Sequence, residues 1–214
     1  MKKLVLTSLA IFLLTLPASA ITGLGFGIHA GKTVGYSYDE INNRLATIAD
    51  DQGIIGGTHV LKFDEELMTI GGHIKVATLP IIDFYGFADY SWKKKEIYPS
   101  LDFKLSDFAI GVSAKKMFGV TMIKPFVGVG GEMHKLAYSI ESDAVSINGL
   151  PVTGMALIIP EDQNKFGFHL LGGVELNLPV FPVDPYAQFK YNWITTDDKT
   201  TKYGLLEFGV TFSL

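Results

Sequence analysis

The last eleven residues, Gly204 to Leu214, alternate without a break. One parity carries Leu206, Phe208, Val210, Phe212 and Leu214. The other carries Leu205, Glu207, Gly209, Thr211 and Ser213, continuing from Tyr203. Extended backbone sends successive side chains to opposite faces, so a period of two describes a strand held between two different solvents.

The opposite end of the chain says which solvents. Lys2 and Lys3 precede a mostly apolar stretch from Leu4 to Leu16, and Ala18-Ser19-Ala20 supplies the small residues a signal peptidase accepts. Thirteen residues fall short of the ~20 a helix needs to span a bilayer, which weighs against the competing reading of an amino-terminal anchor. The expected organisation is a signal peptide over 1–20 and a single domain over 21–214. Removing Lys2 and Lys3 takes the formal charge from −4 to −6, which argues against nucleic acid as a partner. There is no cysteine, so neither a disulfide scaffold nor a lipidated cysteine is available. Hydrophobic residues make up 48% of the chain, yet beyond the leader no apolar run is long enough for a membrane helix. Strands with one face in hydrocarbon give that combination, and so does a soluble β-sandwich.

Eight strand-like segments follow the leader. They lie at about 22–30, 67–77, 81–92, a fourth ending near Lys116, 123–135, 166–178, 186–194 and the terminal segment. Lys93-Lys94-Lys95-Glu96 reads as a solvated loop. The connections after the first and fifth strands are long, about 31–66 and 136–165, and those after the second, fourth and sixth are short. Bacterial barrels show this asymmetry between outer loops and periplasmic turns. An even strand number lets the first and last strands pair and leaves no open edge. The expected fold is therefore an all-β, eight-stranded, antiparallel, up-and-down transmembrane barrel. Within residues 37–49, Ile41, Leu45 and Ile48 keep helical spacing behind Ser37 or Asp39, which predicts a short helix in the first long loop.

Parity also sorts the candidate functional residues. Glu132, Glu175, Lys190 and Glu207 fall on the inward face of strands five to eight, and Lys75 and Asp83 do so on strands two and three. An eight-stranded bore is just wide enough for side chains to fill it, and isolated buried charge is costly, so these groups are expected to form a polar network around Lys190. A path for a small solute is the sharper alternative. Tyr90, Trp92, Tyr191 and Trp193 end their strands on the outer side, where an aromatic girdle belongs. His29, His73, His134 and His169 share the inward parity, which brings a metal site or latch to mind. His134, Ser139 and Glu141 straddle a strand end with no nucleophile motif around the serine, and Gly23-x-Gly25-x-Gly27 lacks a following helix. The expectation is no catalytic residues, no enzyme activity, no cofactor and no metal.

Three stretches carry a resemblance. Pro125-Phe126-Val127-Gly128-Val129-Gly130-Gly131, Pro185-Tyr186-Ala187-Gln188-Phe189-Lys190-Tyr191 and Gly204 to Leu214 resemble the strands of small outer-membrane barrels of the opacity-protein and outer-membrane-protein-W kind. The chain also resembles a wider group of predicted exported barrels. Members of the first kind usually end in an aromatic residue, whereas this chain ends in Leu214 with Phe212 two before it. The resemblance implies a bacterial outer-membrane location, insertion by the barrel-assembly machinery, contact with outer-membrane lipid and a structural or surface-exposed role. A narrow channel for small or hydrophobic solutes and a soluble exported ligand-binding barrel are the alternatives.

Overall fold

The computed structural model describes residues 23–36, 66–79, 82–98, 101–119, 122–142, 146–147, 150–151, 163–178, 182–195 and 200–213. The leader and the helix expected within residues 37–49 lie outside them.

Among the described residues, ten strands are formed. They are β1 (Leu24–Val34), β2 (Met68–Leu79), β3 (Ile82–Tyr98), β4 (Leu101–Met117), β5 (Ile123–Ser142), β6 (Ser146–Ile147), β7 (Leu150–Pro151), β8 (Gln163–Leu176), β9 (Val183–Thr195) and β10 (Thr200–Ser213). Eight of them close into one barrel in the order β1-β10-β9-β8-β5-β4-β3-β2, which returns to β1, while β6 and β7 form a separate small hairpin. All the pairings are antiparallel, as an up-and-down chain requires.

Closure rests on the terminal alternation. β10 lies against β1 with Phe212 opposite Phe26 and Phe208 opposite Ala30, and the Phe26 and Phe212 rings stack at 5.3 Å. With both edges of the sheet joined, no row of backbone N–H and C=O groups is left for lipid to strand. At the opposite strand ends from the aromatic pairs near Trp92 and Trp193, the connections are short. Phe118 N donates to Pro125 O at 2.8 Å across a turn that contains Gly119 at φ +88°.

Each strand separates its two faces. Val112, Ile28 and Phe208 on the outside keep 67%, 63% and 59% of their surface exposed, and with Ile110, Val129 and Phe166 they belong to a wide exposed apolar surface that a water-soluble fold rarely presents. Their neighbours in sequence point inward and are buried. Among the described residues, the inward face carries mostly polar and charged groups through the middle of the barrel.

The strands run further than periodicity predicts. Lys93–Glu96, expected as a loop, lies in β3 and pairs with Asp102 to Leu105 of β4. β5 continues to Ser142, so the connection expected from Leu136 starts later, and it carries the β6–β7 hairpin. The cause is an apolar cap inside the outer end of the barrel. Leu67, Phe103, Leu105, Leu136, Ile194, Tyr203 and Leu205 point inward there and are buried, and Tyr36 stacks on Tyr203 at 4.8 Å. This small core holds the strands together past the outer apolar belt, where their outward residues turn to lysine and read as loop.

Candidate functional site

The bore is filled by layers of paired side chains. Nearest the short connections, Lys75 of β2 meets Asp83 of β3 at 3.2 Å and Glu175 of β8 at 3.4 Å. Lys115 of β4 donates to Gln188 Oε1 of β9 at 2.9 Å, with its ammonium 3.9 Å from the centre of the Tyr85 ring and 5.2 Å from that of Tyr186. An ammonium over aromatic faces is stabilised by the ring quadrupole, the more so when water is excluded.

The middle layer is organised by Lys190, which is 3% exposed. Its Nζ donates to Asp89 Oδ2 at 2.8 Å, lies 3.5 Å from Glu132 Oε2, and sits over the Phe87 ring at 4.4 Å. Asp89 Oδ1 is 2.7 Å from His29 Nε2, which in turn lies 3.2 Å from Glu207 Oε1. Gln188 Nε2 donates to Glu207 Oε2 at 2.5 Å. His29, Asp89 and Glu207 thus offer three ligand atoms within 4.8 Å of one another. These atoms already satisfy one another, and the Lys190 ammonium occupies the other oxygen of Asp89.

The next layer outward joins β4, β5 and β8. Glu132 Oε1 lies 3.2 Å from His134 Nε2 and 3.5 Å from His169 Nδ1. The remaining nitrogen of each ring has its own partner: Asp107 Oδ2 at 2.9 Å from His134 Nδ1, and Ser113 Oγ at 2.8 Å from His169 Nε2.

Glycines make the room for these imidazoles. His169 faces Gly130 across the β5–β8 pairing, His73 faces Gly27, and His29 faces Gly71. A Cβ on Gly130 would run into His169 and the Val112 carbonyl, one on Gly27 into His73, and one on Gly71 into His29 and Asp89. One on Gly167 would come 3.0 Å from His134 Nε2. Gly27 of β1, Gly71 of β2, Gly130 of β5 and Gly167 of β8 are therefore slots for rings from the neighbouring strands.

Of the residues singled out from sequence, Glu132, Glu175, Lys190 and Glu207 are all buried in the bore. They do not form one cluster. Lys190 bonds Asp89 and approaches Glu132, Glu175 meets Lys75, and Glu207 meets Gln188 and His29. Asp89, Asp107, Ser113, Lys115 and Tyr85 are members that the sequence reading did not select. A cavity of about 20 Å³, lined by His29, Asp89, Lys115, Lys190 and Glu207 among others, interrupts this packing. That is room for a single water.

On the outside, Tyr90 stacks on Trp92 at 5.6 Å, Phe168 on Trp193 at 4.9 Å, and Tyr191 meets Trp193 edge-on at 4.6 Å. These rings sit toward one end of the apolar belt. Lysines also face outward near this end: Lys94 lies opposite Lys104, Lys135 is on the adjoining β5 opposite Phe108, and Lys202 is on β10 opposite Trp193.

A closed eight-stranded up-and-down barrel, apolar outside and polar within, is the fold of the small bacterial outer-membrane barrels. Among solved structures, the chain is similar to Neisserial surface protein A, at 19% identity and a TM-score of 0.55 over 90% of this chain and 97% of that one. It is similar to the attachment invasion locus protein Ail of Yersinia pestis, at 12% identity and a TM-score of 0.52 over 90% and 99%. A major outer membrane protein from Thermus thermophilus aligns at 7% identity with a TM-score of 0.50 over 89% and 99%. No protein-family model matches the chain, and no curated protein matches it.

Proposed function

We propose that this chain is an outer-membrane barrel of a double-membraned bacterium with a structural or surface-exposed role, its bore sealed by its own side chains. The leader over 1–20 is cleaved on export, and the terminal strand serves as the signal for the barrel-assembly machinery. The observation that carries the reading is Lys190. It is buried between Asp89 and Glu132, and the space beside it has room for about one water. A solute path through the middle layer needs that layer to come apart. The apolar cap around Phe103, Leu105 and Ile194 closes the outer end as well.

Planar-bilayer recording of the purified chain tests the sealed bore. The expected record shows no conductance steps above background. Steady steps that persist after the chain is repurified would reject the plug in favour of the narrow channel. The soluble alternative is tested by extraction: release into carbonate buffer without detergent would favour it, while retention in the membrane and heat-modifiable migration on a gel support the barrel.

The outward lysines favour one form of the surface role, recognition of an anionic group at the outer rim. Lys94 and Lys104 stand side by side, with Asp102 3.0 Å from Lys94. Ail, a structural neighbour, has been solved in complex with the heparin analogue sucrose octasulfate. Retention of the chain on a heparin column, and its loss when Lys94, Lys104, Lys135 and Lys202 are changed to Gln, is the expected result.

A further inference from the structure

Glu132 is 2% exposed, and His134 and His169 are each 1% exposed. His134 Nε2 stands 3.2 Å from Glu132 Oε1, and His169 Nδ1 stands 3.5 Å from the same oxygen. None of these three atoms makes a well-aligned hydrogen bond among the described residues. Where the protons lie in this layer is set by what stands behind each ring.

Behind His134 stands a carboxylate. Asp107, also buried, places Oδ2 at 2.9 Å and Oδ1 at 3.1 Å from Nδ1. An ionised carboxylate can only accept, so Nδ1 carries a hydrogen. Behind His169 stands a hydroxyl, with Ser113 Oγ 2.8 Å from Nε2. A hydroxyl donates as readily as it accepts. His169 can therefore stay neutral, giving its Nδ1–H to Glu132 and taking the Ser113 hydrogen at Nε2. His134 has no such freedom. With Nδ1–H committed to Asp107, a neutral ring would turn the lone pair of Nε2 on a buried carboxylate, and both groups would go unsatisfied. A proton between Nε2 and Glu132 Oε1 removes the conflict.

Two contacts put that proton on the ring. Lys190 Nζ lies 3.5 Å from Glu132 Oε2, which favours the ionised carboxylate. Asp107 behind Nδ1 favours the imidazolium, as a carboxylate in that position does.

We propose that Asp107, His134 and Glu132 form a pH-sensitive lock, in which a buried imidazolium bridges two carboxylates and its proton holds the layer together. Asp107 belongs to β4, and His134 and Glu132 to β5. Through Glu132 the layer reaches His169 of β8 and Lys190 of β9. One proton thus secures four strands. The charged and titratable groups facing His134 are Asp107 from β4, Glu132 from its own strand, Lys165 and His169 from β8 and, beyond Glu132, Lys190 from β9. β10 adds the Tyr203 phenol in the apolar cap. Carboxylates ordinarily titrate near pH 4, and ammonium and phenol groups near pH 10, so histidine is the side chain that changes charge between about pH 7 and 9. In the unfolded chain a histidine loses its proton near about pH 6.5. The folded state then binds one proton more than the unfolded state, and stability falls as pH rises until the folded ring lets its proton go.

The test uses the full mature chain with nitrogen-15 in its histidine rings, folded in detergent micelles. Spectra are recorded at about pH 8, where the histidines of an unfolded chain are neutral. A ring with both nitrogens protonated is expected, and its signals are expected to vanish in His134→Gln. His169 is expected to be neutral, with hydrogen on Nδ1. Should His134→Gln fail to fold, Asp107→Asn makes the assignment, since it removes the charge behind Nδ1 and is expected to shift the same ring. Urea unfolding in lipid vesicles between about pH 7 and 9 gives the second readout. The folding constant of the wild type is expected to drop about tenfold more per pH unit than that of His134→Gln, the effect of one proton. A bare Nε2 on His134 in the folded barrel, or equal pH slopes in wild type and His134→Gln, would overturn the proposal.

Discussion

Lys190 of β9 donates to Asp89 of β3 at 2.8 Å across the bore, joining residues 101 apart in sequence and on strands that do not pair. A contact across the lumen does what strand pairing cannot. It fixes the stagger of opposite walls, and it fills the space through which a solute would pass.

The first prediction concerns this pair. Lys190→Met leaves Asp89 and Glu132 facing each other in a dry interior without their shared cation. Breaking one partner of a buried ion pair is expected to cost about 3–5 kcal/mol, read as a lower urea midpoint for unfolding in lipid vesicles. Adding Asp89→Asn and Glu132→Gln to Lys190→Met removes the uncompensated charge and is expected to recover part of the loss. An unchanged midpoint for Lys190→Met would show that the pair does not hold the walls.

Gly130→Ala is the second. Its methyl group meets the His169 ring and the Val112 carbonyl, so the neighbouring wall must shift. The expected cost is about 1–3 kcal/mol in the same assay, typical of overpacking. Gly86→Ala is the matched control, since a Cβ there meets nothing within 4 Å, and its midpoint is expected to stay near wild type.

The outer belt gives the third. Val112 faces outward at 67% exposure. Val112→Arg is expected to destabilise the barrel by about 2–4 kcal/mol in vesicles if the side chain lies near the bilayer midplane, and Val112→Leu to be close to neutral. A neutral Arg variant would show that this face does not meet hydrocarbon.

The two tryptophans give the fourth. Trp92 and Trp193 stack with Tyr90 and Phe168, and they are the two tryptophans of the chain. Their fluorescence is expected to be quenched more by lipids brominated near the headgroup than by lipids brominated near the chain end, because amphipathic rings settle at the interface. The reverse order would move the girdle to the bilayer centre.

Much of this was legible from the residues. Period-two alternation located the eight barrel strands and assigned the faces of Glu132, Glu175, Lys190 and Glu207, because the side-chain period of a strand is strict. What alternation cannot give is depth. Which inward residue meets which across the bore depends on the stagger around the closed sheet, a property of all eight strands at once. So Lys190 was readable as an inward cation, but its bond to Asp89 was not. On β4 the signal was present and unused: Asp107, Ala109, Gly111, Ser113 and Lys115 keep the inward parity, and Lys115 and Asp107 prove to be central. Lys93–Glu96 misled because four consecutive charged residues, on both faces of a strand beyond the apolar belt, have the composition of a loop. The role of Gly27 and Gly130 as ring slots needed the neighbouring strands in place.

The central claim is that one face of every barrel strand meets hydrocarbon while the other meets a sealed polar bore. The chain has no cysteine, so single cysteines carry spin labels uniquely. With labels along β4 in lipid bilayers, collision with dissolved oxygen and with a water-soluble nickel complex is the measurement that tests this most directly. The account predicts high oxygen and low nickel accessibility at Phe108, Ile110 and Val112, and low accessibility to both at Ala109 and Ser113, in strict alternation. High nickel accessibility at the outward positions, or no alternation along the strand, would contradict it.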